Sequence, residues 1–119
     1  MRLAIVGSTN VTEEQLKTAK AIIQGILLFY MPKVVISGGA KGIDSLAEDE
    51  ALLLNMQTVI HYPLNERWAP NGYQARNIRI AEDCTHLLCI RTQQSTTYGS
   101  GWTADRAEGL GKTVWRLTI

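Results

Sequence analysis

The chain has 119 residues, enough for one domain that buries a core without help from metals or disulfides, and we expect residues 1–119 to form a single domain. Apolar residues make up 45% and charged residues 19%, which excludes an intrinsically disordered chain. The net charge is only +1, which excludes binding to nucleic acid through an overall positive field. Any basic site must therefore be a local patch.

The two cysteines, Cys84 and Cys89, predict no covalent or metal-based chemistry. They lie five residues apart on a predicted strand, so we expect them to face opposite sides and to remain free thiols. Neither has the spacing of a metal ligand, and no cofactor is expected. No segment is long enough to span a membrane, and the N-terminus does not resemble a signal peptide. We therefore expect a soluble cytoplasmic protein with no membrane partner.

Apolar runs alternate along the chain with segments of helical periodicity. Five strands are predicted at 2–6, 33–37, 57–62, 84–90 and 112–117. Four helices are predicted at 12–30, from near Asp44 to Leu54, at about 73–82 and at 102–110. Thr12 and Gln15 form a capping-box start for the first helix, and Pro32 closes it from outside. A long polar loop from Pro63 precedes the third helix.

Nearly continuous apolar strands between helices are typical of a parallel sheet that is covered on both faces. The predicted fold is therefore a three-layer α/β, Rossmann-like domain. Its five-stranded parallel sheet is expected to have the strand order 3-2-1-4-5, with right-handed crossovers.

Three glycine-containing loops follow the carboxyl ends of predicted strands, where open parallel sheets bind ligands. They are Gly7-Ser8-Thr9, Gly38-Gly39-Ala40-Lys41-Gly42 and Tyr98-Gly99-Ser100-Gly101. A glycine-rich turn into a helix offers free N–H groups and the positive end of the helix dipole, which favour phosphate. The alternative is that each loop is only a tight turn. Their shared edge favours a ligand site.

Several side chains near these loops have two interpretations each. Lys41 would add positive charge, and Asp44 would either cap its own helix or hold a ribose hydroxyl. Ser8 and Ser37 are expected to hydrogen-bond a ligand or the backbone. Arg76 and Arg79 share one helix face.

Three aromatic residues also stay open between binding and packing. Trp68 and Tyr73 would either stack against a base or fill space under the long loop. Trp102 would either cover the site or form a dimer contact.

Four segments, taken together, resemble the SLOG superfamily. They read "GSTN" (7–10), "SGGAKGID" (37–44), "ARN" followed by "IA" (75–77 and 80–81), and "GSGWTA" (99–104). This superfamily includes stand-alone YspA/YpsA-type proteins, DNA-processing protein A (Smf) and the Lonely Guy enzymes. The resemblance implies a Rossmann-like sheet that binds a nucleotide or a nucleotide-derived ligand at its carboxyl edge, as a sensor or carrier module.

The resemblance also implies roles for particular residues. Gly38, Gly39 and Gly42 would form the central phosphate loop, and Arg76 and Asn77 would lie over a phosphate or ribose. A second phosphate cradle would consist of Gly99, Ser100 and Thr103.

Two alternative functions follow from different members of the superfamily. Lonely Guy enzymes cleave the glycosidic bond of a nucleoside monophosphate, and here Asp105 and Arg76 would be catalytic. These enzymes carry a PGGxGTxxE loop. The corresponding segment here lacks the proline of that loop, and Asp105 stands in place of its glutamate. DNA-processing protein A instead binds single-stranded DNA, and its pattern matches "GSGWTA" better. The expected partner is a nucleotide-type small molecule, with single-stranded DNA as the alternative, and we expect a homo-oligomer (a dimer or higher).

Overall fold

The computed structural model describes all 119 residues, and it alternates five strands with four helices. The strands are β1 (Arg2–Gly7), β2 (Val34–Ser37), β3 (Gln57–Ile60), β4 (His86–Arg91) and β5 (Thr113–Thr118). The helices are α1 (Glu13–Tyr30), α2 (Ile43–Leu53), α3 (Tyr73–Asp83) and α4 (Gly99–Gly109). Every predicted element is therefore present, although several ends differ.

The five strands form one parallel sheet with the order β3-β2-β1-β4-β5, which confirms the predicted fold class and topology. The central strand β1 pairs Ala4 with Ile36 on one side and with Leu87 on the other. Because all strands point the same way, the loops that follow them meet at one edge. This carboxyl edge carries all three glycine-containing loops.

Helices cover both faces of the sheet, and each face has its own apolar core of eleven buried residues. On one face, Ile23 of α1 and Ala47 of α2 pack against β1, β2 and β4. On the other face, Ile80 of α3 and Ala104 of α4 pack against the same three strands. The apolar strands of the sequence are explained by this burial on both sides.

The limits of α1 follow from local hydrogen bonding. The Thr12 hydroxyl accepts the N–H of Gln15 at 3.2 Å, and the Gln15 side chain accepts the N–H of Thr12 at 3.0 Å. The predicted capping box is thereby confirmed. At the other end Met31 adopts the left-handed conformation, with φ of 46°, just before Pro32.

Both cysteines are buried and free, as predicted, but the prediction that they face opposite sides is wrong. Cys84 caps the end of α3 and does not belong to β4. The alternation of side chains along a strand therefore does not apply to it, and both thiols lie in the core under α3 and α4.

Large apolar side chains are exposed where α1 and α2 end, at the edge opposite the glycine loops. Phe29 is 78% exposed, and Leu28 and Leu53 are also largely exposed. The two helix ends lie side by side, because Gln24 donates to Glu50 at 3.0 Å one turn earlier. None of the helices is long and apolar enough to cross a membrane.

Asp83 at the end of α3 is predicted to make stability depend on pH. Its carboxylate lies 2.6 Å from Arg2 Nη2 and 2.9 Å from His61 Nε2. Partial burial disfavours the charged form, but the hydrogen bonds from His61 and Arg2 outweigh burial and lower the pKa of Asp83. Asp83→Asn should lower the free energy of unfolding by about 1–2 kcal/mol at neutral pH, measured by urea denaturation.

The sign of the pH effect follows from the lowered pKa. The advantage of the wild type should be complete above the ordinary carboxyl pKa of about 3.9, and it should be lost as the pH falls further. The neighbouring Glu82 has an exposed side chain, so Glu82→Gln is the matched control and should change little. An equal loss in both variants would contradict this account.

Candidate functional site

A cavity of about 550 Å³ opens at the carboxyl edge of the sheet. Its walls come from the end of β1, the loop before α2, one side of α3 and the start of α4. Eight of the residues proposed from the sequence line this cavity: Gly7, Thr9, Asp44, Arg76, Asn77, Gly99, Ser100 and Thr103. The fold thus brings together residues from the first and third glycine-containing loops, from α2 and from α3, and the central loop contributes Ala40 to the wall.

Asp44 connects the elements around the cavity. Its side chain is 5% exposed, and its two oxygens accept the N–H of Gly7 at 3.3 Å and the N–H of Gly38 at 3.1 Å. Arg76 of α3 donates to the carbonyl of Gly38, and its Nε donates to Asn77 Oδ1 at 2.6 Å. The side chains of Asp44 and Arg76 therefore connect the ends of β1 and β2 with the helices α2 and α3.

Burial dominates the electrostatics of this pair. It raises the pKa of Asp44 to about 7, although the charge of Arg76 and the hydrogen bonds from the backbone act in the opposite direction. Burial also lowers the pKa of Arg76, while the charge of Asp44 opposes that change. Burial thus favours the neutral form of Asp44 at the wall of the cavity.

A side chain on a glycine of the central loop would meet other groups of the protein. A Cβ on Gly38 would lie 2.8 Å from Arg76 Nη1 and 2.9 Å from Asp44 Oδ2. Gly42 has φ of 77°, and a Cβ there would lie 3.0 Å from the Cα of Thr9. The N–H groups of Gly38 and Gly39 already donate to Asp44 and to the Ser37 hydroxyl. The phosphate role of this loop stays a prediction.

The start of α4 is different, because its N–H groups are free. The helix begins at Gly99, whereas the sequence predicted a loop through Gly101 and a helix from Trp102; that prediction was wrong. Its first backbone hydrogen bond runs from the N–H of Trp102 to the carbonyl of Tyr98 at 2.7 Å. The N–H groups of Gly99, Ser100 and Gly101 have no acceptor within the chain.

Side chains from two helices hold this helix start in place. Thr103 Oγ1 donates to the carbonyl of Gly99 at 2.9 Å, and Asn77 Nδ2 approaches the same carbonyl at 3.5 Å. A Cβ on Gly99 would meet only the Trp68 ring, at an ordinary contact distance of 3.8 Å. The positive end of the α4 dipole therefore borders open space in the cavity.

Four aromatic side chains line the same cavity. Trp68 and Trp102 contact each other edge to face, with ring centroids 5.2 Å apart. The guanidinium carbon of Arg76 lies over the Tyr73 ring, 5.2 Å from the centroid of that ring. The fourth aromatic residue, Tyr98, directly precedes α4. The sequence left Trp68, Tyr73 and Trp102 open between binding and packing, and the structure places all three at the cavity.

The remaining residues proposed from the sequence do not line the cavity: Ser8, Ser37, Gly38, Gly39, Lys41, Gly42, Gly101 and Asp105. Lys41 is exposed, and the hydroxyl of Ser8 accepts the N–H of Thr92 at 3.0 Å. Asp105 is exposed on α4, where it accepts hydrogen bonds from Tyr98 Oη at 2.9 Å and from Arg116 at 2.8 Å. These two hydrogen bonds lower the pKa of Asp105, and the one from Arg116 has the larger effect.

Asp44 is the one carboxylate at the cavity wall, and it already accepts two backbone N–H groups. No group of three or more His, Cys, Asp or Glu side chains is arranged to hold a metal ion. The arrangement combines hydrogen-bond donors at one helix start, one arginine and aromatic rings. It can bind an anionic ligand that carries a flat ring.

Sequence reasoning missed some cavity residues: Val6, Ala40, Ile80, Thr97 and Tyr98 as a wall residue. Val6 and Ile80 look like ordinary core residues in the sequence. The position of Tyr98 next to the glycines of α4 is the signal that pointed most nearly to one of them.

A family model described as "DNA recombination-mediator protein A" matches residues 1–61 of this chain. The matched region contains β1, α1, β2, α2 and the central glycine loop. The chain belongs to the DNA recombination-mediator protein A family. The resemblance to the SLOG superfamily, and to DNA-processing protein A within it, is thereby confirmed. Among curated proteins no sequence matches the chain significantly.

Solved structures support the same fold for this family member. DNA processing protein A from Streptococcus pneumoniae has a TM-score of 0.72 and 24% identity, over 97% of this chain and 49% of that chain. DNA processing protein A from Helicobacter pylori, whose structure describes a single-stranded DNA binding mode, has a TM-score of 0.70 and 18% identity, over 98% of this chain and 64% of that chain. The structural-genomics target TM1055 has a TM-score of 0.74 and 17% identity, over 95% of this chain and 71% of that chain. The chain thus spans about half to two-thirds of the two DNA processing proteins.

Asp44→Asn tests the connection between the loops. Below pH 4 Asp44 is protonated, and its hydroxyl oxygen can still accept an N–H, whereas the amide nitrogen of an asparagine would face the N–H of Gly7 or Gly38 as a second donor. We expect the free energy of unfolding to fall by about 1–3 kcal/mol below pH 4, measured by urea denaturation.

The pH dependence gives this prediction its sign. The pKa of Asp44 is raised in the folded state, so the stability it contributes is complete below its unfolded value of about 3.9 and is lost as the pH rises through about 7. The difference between wild type and Asp44→Asn should therefore narrow from pH 4 to pH 8. Asp49→Asn, on the exposed side of α2, is the control. A difference that widens with pH would contradict the raised pKa.

Proposed function

We propose that this chain binds a nucleotide unit in the cavity at the carboxyl edge. The phosphate lies at the start of α4, and the base lies against the aromatic wall. One observation carries the proposal: unpaired N–H groups of Gly99 and Ser100 and four aromatic side chains border the same cavity. The volume of about 550 Å³ lies within the usual range for small-molecule sites.

The phosphate end of the site combines a helix start with one cation. Free N–H groups and the helix dipole favour an anion at Gly99 and Ser100. Arg76 carries five N–H donors, of which one bonds to Gly38 and one to Asn77. The remaining donors are available to a phosphate or a ribose oxygen.

The base end of the site is formed by rings. Trp68, Trp102, Tyr73 and Tyr98 offer flat apolar surface, and stacking of a base on an aromatic side chain contributes about 1–3 kcal/mol. This chemistry accepts any base, so we propose a nucleotide site without selecting one base.

Single-stranded DNA is the second candidate, and family membership favours it. The relative from Helicobacter pylori binds single-stranded DNA, and the cavity would hold one nucleotide of such a strand. The net charge of +1 confines phosphate contacts to the neighbourhood of the cavity. The chemistry at the cavity is the same for a free nucleotide and for a nucleotide within a strand.

Hydrolysis of a nucleoside monophosphate stays a third hypothesis, which no observation favours. It needs a carboxylate beside the glycosidic bond. Asp105 lies outside the cavity, where it accepts hydrogen bonds from Arg116 and Tyr98, and Asp44 accepts hydrogen bonds from the backbone.

Self-association also stays a prediction, for which the exposed apolar ends of α1 and α2 offer a surface.

Binding should depend on the aromatic wall. Trp68 is half exposed, so Trp68→Ala should leave the fold intact while removing one stacking surface. We expect affinity for the bound nucleotide to fall roughly 5- to 150-fold, measured by calorimetric titration with deoxynucleoside and ribonucleoside monophosphates. Phe29→Ala removes an exposed ring from the opposite edge and is the matched control.

A fluorescently labelled oligo-dT separates the two sources of the nucleotide. Binding of the strand with a strong salt dependence, and little binding of monophosphates, indicates single-stranded DNA. Binding of one monophosphate with little salt dependence indicates a free nucleotide. No binding of either, or equal loss in Trp68→Ala and Phe29→Ala, would overturn the proposal.

A further inference from the structure

A second, smaller cavity lies on the other side of Tyr98. Its volume is about 110 Å³, and its lining includes Cys89 and Arg91 of β4, Arg116 of β5 and Gly101 of α4. Tyr98 lines both this cavity and the larger one. The two spaces are therefore neighbours, separated by one ring at the start of α4.

The strand register explains why two arginines meet here. Cys89 pairs with Arg116, and Arg91 pairs with Thr118, in the parallel ladder of β4 and β5. Side chains two residues apart on a strand share a face. The four side chains therefore lie on the face of the sheet that α4 covers, and all of them border the cavity: Cys89, Arg91, Arg116 and Thr118.

Arg91 is the cation in this cavity that has no carboxylate partner. Its Nη2 donates to the carbonyl of Thr97 at 2.8 Å, and its guanidinium lies 5.0 Å from the Tyr98 ring centroid. Its Nε is buried and has no acceptor, which is costly for a donor. Arg116, in contrast, is held by Asp105 at 2.8 Å and by Glu108 at 2.9 Å.

We propose that the smaller cavity is an anion subsite that takes the second phosphate group of a ligand whose first nucleotide lies in the larger cavity. This inference rests on the proposed function. Arg91 supplies the positive charge and an unpaired N–H, and Tyr98 stands between the two phosphates. The subsite gives the chain a preference for dinucleotides and longer strands over mononucleotides.

The test compares ligands with one and with two phosphates in wild type and in Arg91→Gln. The probes are deoxyadenosine and thymidine 5′-monophosphates and the 5′-phosphorylated dinucleotides of the same bases. Arg91→Gln should weaken dinucleotide binding about tenfold and leave mononucleotide binding within about twofold. Arg91→Lys keeps the charge and should recover part of the loss. Arg106→Gln, an exposed arginine in the last turn of α4, is the control.

The outcomes separate this inference from the proposed function. An unchanged dinucleotide affinity in Arg91→Gln, or an equal loss for both ligand classes, overturns the second subsite while the nucleotide site stands. Binding of none of the four probes overturns the proposed function and this inference with it. Stabilisation of the wild type but not of Arg91→Gln by inorganic phosphate alone supports the anion site, with a free ion as its occupant.

Discussion

The buried carboxylate of Asp44 is the contact on which the carboxyl edge of this protein depends. Burying a charge is costly, and burial raises the pKa of Asp44 to about 7 even though hydrogen bonds and the charge of Arg76 oppose that change. Here the N–H groups of Gly7 and Gly38 bond to Asp44, and Arg76 binds the carbonyl of Gly38. A Cβ at Gly38 would displace the end of the Arg76 or the Asp44 side chain. The central strands and the helices on both faces are therefore joined at one point, beneath the cavity.

The glycine loops differ in whether their backbone N–H groups are bonded within the chain. The central loop uses the N–H groups of Gly38 and Gly39 to hold the edge together. The start of α4 leaves the N–H groups of Gly99, Ser100 and Gly101 unpaired. Arg76 and Asn77 connect the two regions, because one contacts Gly38 and the other Gly99. Free donors beside aromatic rings match the phosphate and the base of the nucleotide ligand that we propose.

The sequence predicted the elements and their order well, because buried parallel strands leave continuous apolar runs and helices leave their period. It failed at the start of α4, since Gly99 and Gly101 have low helix propensity. Contacts from Thr103 and Asn77 to Gly99 override that propensity, and neither is visible in the local sequence. The roles of Trp68 and Trp102 were also undecidable, because their contact joins segments far apart in the chain. The sequence predicts that the central glycines admit a ligand, and the structure adds that a Cβ at Gly38 or Gly42 would meet other groups of the chain.

The most direct test of this account is to map the bound ligand on the backbone by NMR. Amide resonances would be recorded while deoxyadenosine 5′-monophosphate and its 5′-phosphorylated dinucleotide are added. The account predicts the largest shifts at the free N–H groups of Gly99, Ser100 and Gly101, and small shifts at Gly38 and Gly39, whose N–H groups are occupied. The largest shifts at Gly38, Gly39 and Gly42, or no shifts at all, would contradict it.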